Sequence, residues 1–208
     1  MVDDHHGVKE LHYLSRYWNR PFTESDSAEY QRFFPRAEGH ISGEWSPGYM
    51  SHFWVPALIA RAAPNAKILV CLRDPIERYR SGLVLQSETA PRRFSGASTA
   101  FRLGLYASQL EQLVHYFARE QILVLQHEQC TRDARGQLAR TYEFLGVDPT
   151  YAPADIDVRR NEGTGSKPDL PAHIVASLRV AYAPEVARLH DLVPDLDVSL
   201  WSTVTGGS

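Results

Sequence analysis

The chain has 208 residues, 43% hydrophobic and 23% charged, a balance that suits one soluble globular domain with a sizeable core. A net charge of −3 argues against a general nucleic-acid binder, and no apolar run approaches the roughly 20 residues that span a bilayer. The first 15 residues are polar and rich in His and acid, so no signal peptide is expected; with only two cysteines, the expected setting is a reduced cytoplasm.

In chain order, His5 and His6 have no partner at metal-ligand spacing and read as a solvated terminus. Gly7 to Leu14, GVKELHYL, begins as a short extended segment in which Lys9 and Glu10 precede His12. On the residues alone this is an exposed charged pair on a loop. Tyr30, Phe33 and Phe34 fall in an aromatic stretch between Tyr17 and Pro35 that suits a core, since such rings bury large areas. In Gly43 to Tyr49, GEWSPGY, Trp45 either packs or stacks on a ring, and packing is the expectation. Ser51 to Ala63 reads as an amphipathic helix ended by Pro64, with Val55, Leu58, Ile59 and Ala62 on its apolar face.

Ile68 to Leu72 is a continuous apolar run, short and rich in branched side chains, which predicts a strand covered on both faces. Arg73 follows at its carboxyl end, where ligands of open α/β sheets sit. Asp74 is a good N-cap and Pro75 suits the first helical position, so a helix starts here. Ser81 lies seven residues after Asp74, and two helical turns return it to nearly the same azimuth. A guanidinium and a hydroxyl can thus converge beside a strand end, a phosphate site in outline. The alternative is that Arg73 simply pairs with Asp74 or Glu77.

Glu88 to Ser98 reads as a polar loop, and Ser98 starts a long helix with Phe101, Leu105, Leu110, Leu113, Val114 and Phe117 on its apolar stripe. Gln121 to Gln126 is a second buried strand, and Asp133 to Leu145 a helix closed by Gly146. The stretch Arg159 to Pro168, RRNEGTGSKP, is either a flexible surface loop or a phosphate cradle, with Gly163 and Gly165 baring backbone N–H groups and Arg160 and Lys167 adding charge. The tail to Trp201 reads as two short helices. Buried strands alternating with helices predict a parallel sheet covered on both faces.

The segment RDPIERYRSG resembles the 3′-phosphate-binding segment of sulfotransferases that use PAPS (3′-phosphoadenosine 5′-phosphosulfate). The resemblance implies that Arg73 and Ser81 grip the 3′-phosphate. KELHYL is similar to the Lys-Glu-x-His-Phe-Phe segment of heparan sulfate 3-O-sulfotransferases, which implies Glu10 as catalytic base with His12 beside it. That family has Asp three residues beyond the His, where this chain has Ser15. GEWSPGY resembles the family's Glu-Lys-Ser/Thr-Pro-x-Tyr, with Trp45 in place of the lysine.

By the same resemblance, Arg160, Gly165 and Lys167 belong to a basic loop that closes over the nucleotide. The implied fold is a three-layer α/β/α sandwich with a central parallel sheet. The implied chemistry is sulfuryl transfer from PAPS, leaving PAP, to an acceptor hydroxyl on a sugar or small metabolite, with no metal. The family's strand and Lys/Arg-Gly-Thr loop for the 5′-phosphosulfate would precede Lys9 and is not found in the sequence. The expectation is therefore an N-terminally incomplete enzyme close to inactive with PAPS, or else a non-catalytic relative that at most binds PAP.

Overall fold

The structure is a computed structural model that describes residues 10–35, 38–89, 94–158 and 169–205. The regular elements begin with helices α1 (Glu24–Arg32) and α2 (Val55–Ala62), strand β1 (Ile68–Leu72), and helices α3 (Pro75–Thr89), α4 (Phe94–Arg102) and α5 (Tyr106–Tyr116). Strand β2 (Ile122–Gln126) and helices α6 (His127–Arg132), α7 (Ala134–Leu145), α8 (Ala172–Leu192) and α9 (Ser202–Thr205) complete them. They group into two compact units: residues 1–66 with 109–121, and residues 67–108 with 122–208.

In the first unit, α1 starts at a capping box. Thr23 accepts from the Asp26 backbone N–H while the Asp26 carboxylate accepts from that of Thr23. The aromatic stretch is core, as expected: Tyr13, Leu14, Tyr17, Phe22, Tyr30, Tyr49, Val55 and Ala62 are buried together, with Phe33, Phe34, Leu58 and Ile59 packed against them. Buried tyrosines need partners for their hydroxyls. Tyr17 donates to the Asp26 carboxylate at 2.8 Å, and Tyr13 reaches the Asp26 carbonyl at 3.1 Å. Helix α2 begins at Val55, four residues later than predicted, because residues 47–51 form a separate 3-10 turn.

In the second unit, β1 and β2 pair in parallel, with Ile68 opposite Ile122 and Leu72 opposite Gln126. Strand β2 is buried along almost its whole length. Strand β1 is not covered on both faces: its burial alternates, Leu69 is 43% exposed and Cys71 is exposed as well. The pleat sends residues 69 and 71 to one face, which stays partly open. Cys71 is therefore not a core residue, and the neighbouring Cys130 thiol in α6, with partial burial, pushes the Cys71 thiol up.

The predicted loop from Glu88 to Ser98 is shorter, since α3 runs to Thr89 and α4 begins at Phe94. The helix predicted from Ser98 to Phe117 is broken at Gly104. A Cβ there would lie 2.8 Å from the ring of Tyr182, which is fully buried and donates its hydroxyl to the Phe101 carbonyl at 3.0 Å. Close packing by α8 overrides the continuous apolar stripe. Gly146 closes α7 in the left-handed conformation at φ 80°, as its position predicts.

The tail departs from two short helices. Residues 172–192 form one long helix, α8, with Pro184 inside it. The proline removes one intrahelical bond to the carbonyl of Val180, and that residue is 77% exposed, where solvent can replace the lost donor. After α8, Gln126 at the end of β2 pairs its side-chain amide with both the N–H and the C=O of Asp197, at 3.2 and 2.9 Å. No helix among the described residues is long and apolar enough to cross a membrane.

Candidate active site

The acid–histidine turn is built in the first unit. Glu10 and His12 meet as the sequence suggests, with Glu10 Oε2 at 2.8 Å from His12 Nε2. Both remain reachable, the side chains being 30% and 49% exposed. His12 adopts φ 48°, a left-handed conformation that L-residues other than Asn, Asp and His rarely enter. The conformation is still uncommon for His, and local contacts hold it in place. Here the backbone of His12 is fixed at both ends. Its N–H donates to Ser46 Oγ at 3.2 Å, and its C=O accepts from the Ser15 N–H at 3.2 Å.

Behind this turn lies a polar layer drawn from the GEWSPGY segment, whose contacts the sequence did not show. Ser46 donates onward to Glu44 Oε2 at 2.9 Å, and Tyr30 donates to the other Glu44 oxygen. Burial, with the nearby Glu44 charge, pushes the Tyr30 phenol up, and burial does the same at Tyr49. Both therefore stay protonated. Tyr49 also accepts from the Leu14 N–H at 2.9 Å. Ser15, the departure from the family's Asp, bonds to His52 Nδ1 at 3.2 Å. The His52 ring lies flat on Trp54, with centroids 4.7 Å apart and planes at 8°. Burial first, then the neighbouring His12, holds the His52 imidazole below its usual ionisation range. No local motif announces His52, because 37 residues separate it from Ser15. Trp45 is 65% exposed, so it does not pack as expected and offers an open ring beside Ser46.

The anion segment belongs to the second unit. Arg73 emerges at the carboxyl end of β1, and Asp74 caps α3 by accepting from the Ile76 N–H at 2.9 Å. Of the two pairings open to Arg73, the structure shows the one with Glu77, at 3.2 Å. Glu77 also holds Arg80 at 2.7 Å, and Arg80 reaches Asp169 at 3.3 Å. Ser81 lies half-buried two turns into α3. Asp74 turns elsewhere: it is only 3% exposed and accepts from the Ser202 N–H at 2.7 Å, the Ser202 hydroxyl at 2.6 Å and the Thr203 hydroxyl. Glu128, just past β2, accepts from the Asp74 N–H and from Trp201 Nε1, each at 3.0 Å. The backbone next to Arg73 is therefore locked from two directions.

A small cavity of about 180 Å³ in this unit is lined by Glu77, Arg80, Asp169 and Ser202 among others, and by neither Arg73 nor Ser81. Lys9, Arg160, Gly165 and Lys167 lie outside the described residues. Among the described residues no group of three His, Cys, Asp or Glu side chains is arranged to hold a metal ion.

The sequence model of the sulfotransferase family matches residues 10–151, from the acid of the strained turn to beyond α7. The chain is 29% identical over 154 residues to heparan sulfate glucosamine 3-O-sulfotransferase 3A1 of Mus musculus, covering 66% of this chain and 38% of that one. It is 28% identical over 153 residues to heparan sulfate glucosamine 3-O-sulfotransferase 6 of Homo sapiens, covering 66% and 43%. The chain thus spans less than half the length of these relatives. The crystal structure of a sulfotransferase from Alicyclobacillus acidocaldarius superposes with a TM-score of 0.70 at 26% identity, over 94% of this chain and 86% of that one.

Proposed function

The chain belongs to the sulfotransferase family and has its α/β fold, and we propose that it transfers a sulfuryl group from PAPS to an acceptor hydroxyl, with Glu10 as general base. The observation that carries this reading is the 2.8 Å contact of Glu10 with His12 on a left-handed turn, at the residue where the family match begins.

A carboxylate in hydrogen-bond reach of an acceptor hydroxyl takes its proton as the new S–O bond forms, a contribution of about 10²–10⁴ in rate. His12 fixes one Glu10 oxygen, which leaves the other for the acceptor. Arg73 and Ser81 offer a guanidinium and a hydroxyl, a donor set that fits the 3′-phosphate, with Arg73 exchanging Glu77 for the ligand. The proposed nucleotide set also includes Arg160, Gly165 and Lys167. PAPS, when bound, supplies the activated sulfuryl group.

The acceptor we propose is a sugar hydroxyl or that of a small metabolite. The names of the heparan sulfate relatives support the first, and the exposed Trp45, in place of a lysine in the family pattern, favours a ring with little charge over a polyanion.

A second reading, binding of PAP without transfer, is favoured by one observation. Neither strand among the described residues leads into a Gly-rich turn with Lys and Ser or Thr, β1 being followed by Arg73-Asp74 and β2 by His127. Calorimetry with PAP and ATP, followed by sulfuryl transfer from labelled PAPS to a panel of glycans and small alcohols, tests both. PAP binding with transfer supports the first reading, and PAP binding alone the second. Binding of ATP alone, or of neither nucleotide, overturns both.

A further inference from the structure

Sequence and family pattern point to Glu10 and His12 but are silent on what keeps a histidine in a left-handed turn. Two braces hold it. One is Ser46, on the N–H of His12. The other is Ser15, whose N–H takes the His12 carbonyl and whose side chain is tied in turn to His52 Nδ1. A parallel tie joins the same two segments, since Trp54 Nε1 donates to the Leu14 carbonyl at 3.3 Å. Residues 52–54 therefore grip residues 14 and 15 at two adjacent points.

The stack on Trp54 sets the plane of the His52 ring, so its nitrogens cannot swing away from Ser15 without losing that contact. His52 and His12 also face one small space. A Cβ placed on Gly48 would lie 3.7 Å from Cε1 of His52 and 3.9 Å from Cε1 of His12. In the tautomer with its proton on Nε2, a neutral His52 accepts a hydrogen bond from the Ser15 hydroxyl at Nδ1. A protonated His52 would have no free lone pair at Nδ1 to accept from Ser15. The titratable groups around the turn are Glu10 on His12, Glu44 behind Ser46, and Tyr49 at the Leu14 N–H.

We propose that His52, acting through Ser15, is a positioning residue that keeps the His12 turn left-handed and so keeps Glu10 aimed at the acceptor hydroxyl. This rests on the reading of Glu10 as base, and the test separates the two. His52→Phe keeps the stack on Trp54 but cannot accept from Ser15. His52→Asn offers an amide oxygen to the same hydroxyl.

With PAPS and an accepted alcohol, His52→Phe and Ser15→Ala should each lower kcat by up to about 10²-fold, the scale of a small misplacement of a reacting group. KM for PAPS and the Kd of PAP should stay unchanged, and His52→Asn should restore most of the loss. Added to Glu10→Gln, His52→Phe should cost nothing further, because an aimless carboxylate and an absent one are equivalent. A further loss in that background, or a His52→Phe enzyme as fast as the parent, overturns the proposal. If instead Glu10→Gln is itself fully active, the base reading falls and this inference with it.

A readout independent of turnover uses the NMR signals of the His12 ring. Glu10→Gln should move them in the parent and leave them in place in His52→Phe. Equal movement in both would mean that the turn does not need His52, and would overturn the proposal whether or not an acceptor has been found.

Discussion

Asp74 and Thr203 share a buried hydrogen bond across 129 residues of sequence. The Asp74 carboxylate also takes both the N–H and the hydroxyl of Ser202, so one side chain caps α3 and anchors the C-terminal segment. Because Asp74 follows Arg73, the proposed phosphate-binding arginine starts from a backbone that the tail holds still.

Asp74→Asn keeps the shape but loses the charge that three tail donors share. Hydrogen bonds to a charged group contribute about 1.5–3 kcal/mol each, so stability should fall by at least that amount. Urea unfolding measures it. Deleting residues 201–205 should lose as much, because it removes the same donors and bares the seat of Trp201, which is fully buried. If both variants unfold at the parent's midpoint, the tail is not anchored through Asp74.

Some of this was legible in the sequence and some was not, for physical reasons. The junction of β1 and α3 could be read because Asp and Pro are local signals for a helix start. Gly146 could be read because only a left-handed cap needs it there. Helix α1 had a readable signal in Thr23 and Asp26, but Asp in place of the usual Glu or Gln hid the capping box. Nothing local reports that Asp74 faces Thr203, that Ser15 faces His52, or that Tyr182 leaves no room for a side chain at Gly104. Each of these follows from chain segments far apart in sequence, and at Gly104 the distant contact overrode a helical stripe. The exposed face of β1 was misread for a related reason: an unbroken apolar run looks the same whether one face or both are covered.

The pairing of Arg73 with Glu77 leads to a nucleotide prediction. Arg73→Ala should weaken PAP binding by roughly 1.5–3 kcal/mol, the range for a charge-assisted hydrogen bond. Adenosine 5′-phosphosulfate, which lacks the 3′-phosphate, should lose far less. Calorimetry with the two nucleotides decides it, and an equal loss for both would remove Arg73 from the 3′-phosphate site.

For Glu10, the expected signature is a split between turnover and nucleotide binding. Glu10→Gln should lower kcat by about 10²–10⁴, the range for general-base catalysis. PAP affinity should stay close to the parent's, because the carboxylate acts on the acceptor. Turnover within a few-fold of the parent would make Glu10 a surface residue that happens to meet His12.

The capping box of α1 makes a prediction about acid stability whose sign follows from Asp26. Its carboxyl is held down from 3.8 to about 2, first by the Thr23 hydroxyl, then by the Thr23 backbone N–H and Tyr17. A depressed carboxyl means that between pH 3.8 and about 2 the unfolded chain binds more protons than the folded one. The stabilisation from Asp26 is thus fully present above that window and is lost as the pH falls through it. Thr23→Ala removes the largest cause, so it should flatten this part of the pH profile. At neutral pH it should also cost about 0.5–2 kcal/mol for the lost cap. Asp26→Asn should flatten the same window, because the titrating group is gone. Urea midpoints measured from pH 5 down to pH 2 test both. A parent profile whose slope below pH 3.8 survives in Asp26→Asn would assign that acid sensitivity to other carboxylates, and would mean that the box adds nothing that depends on charge.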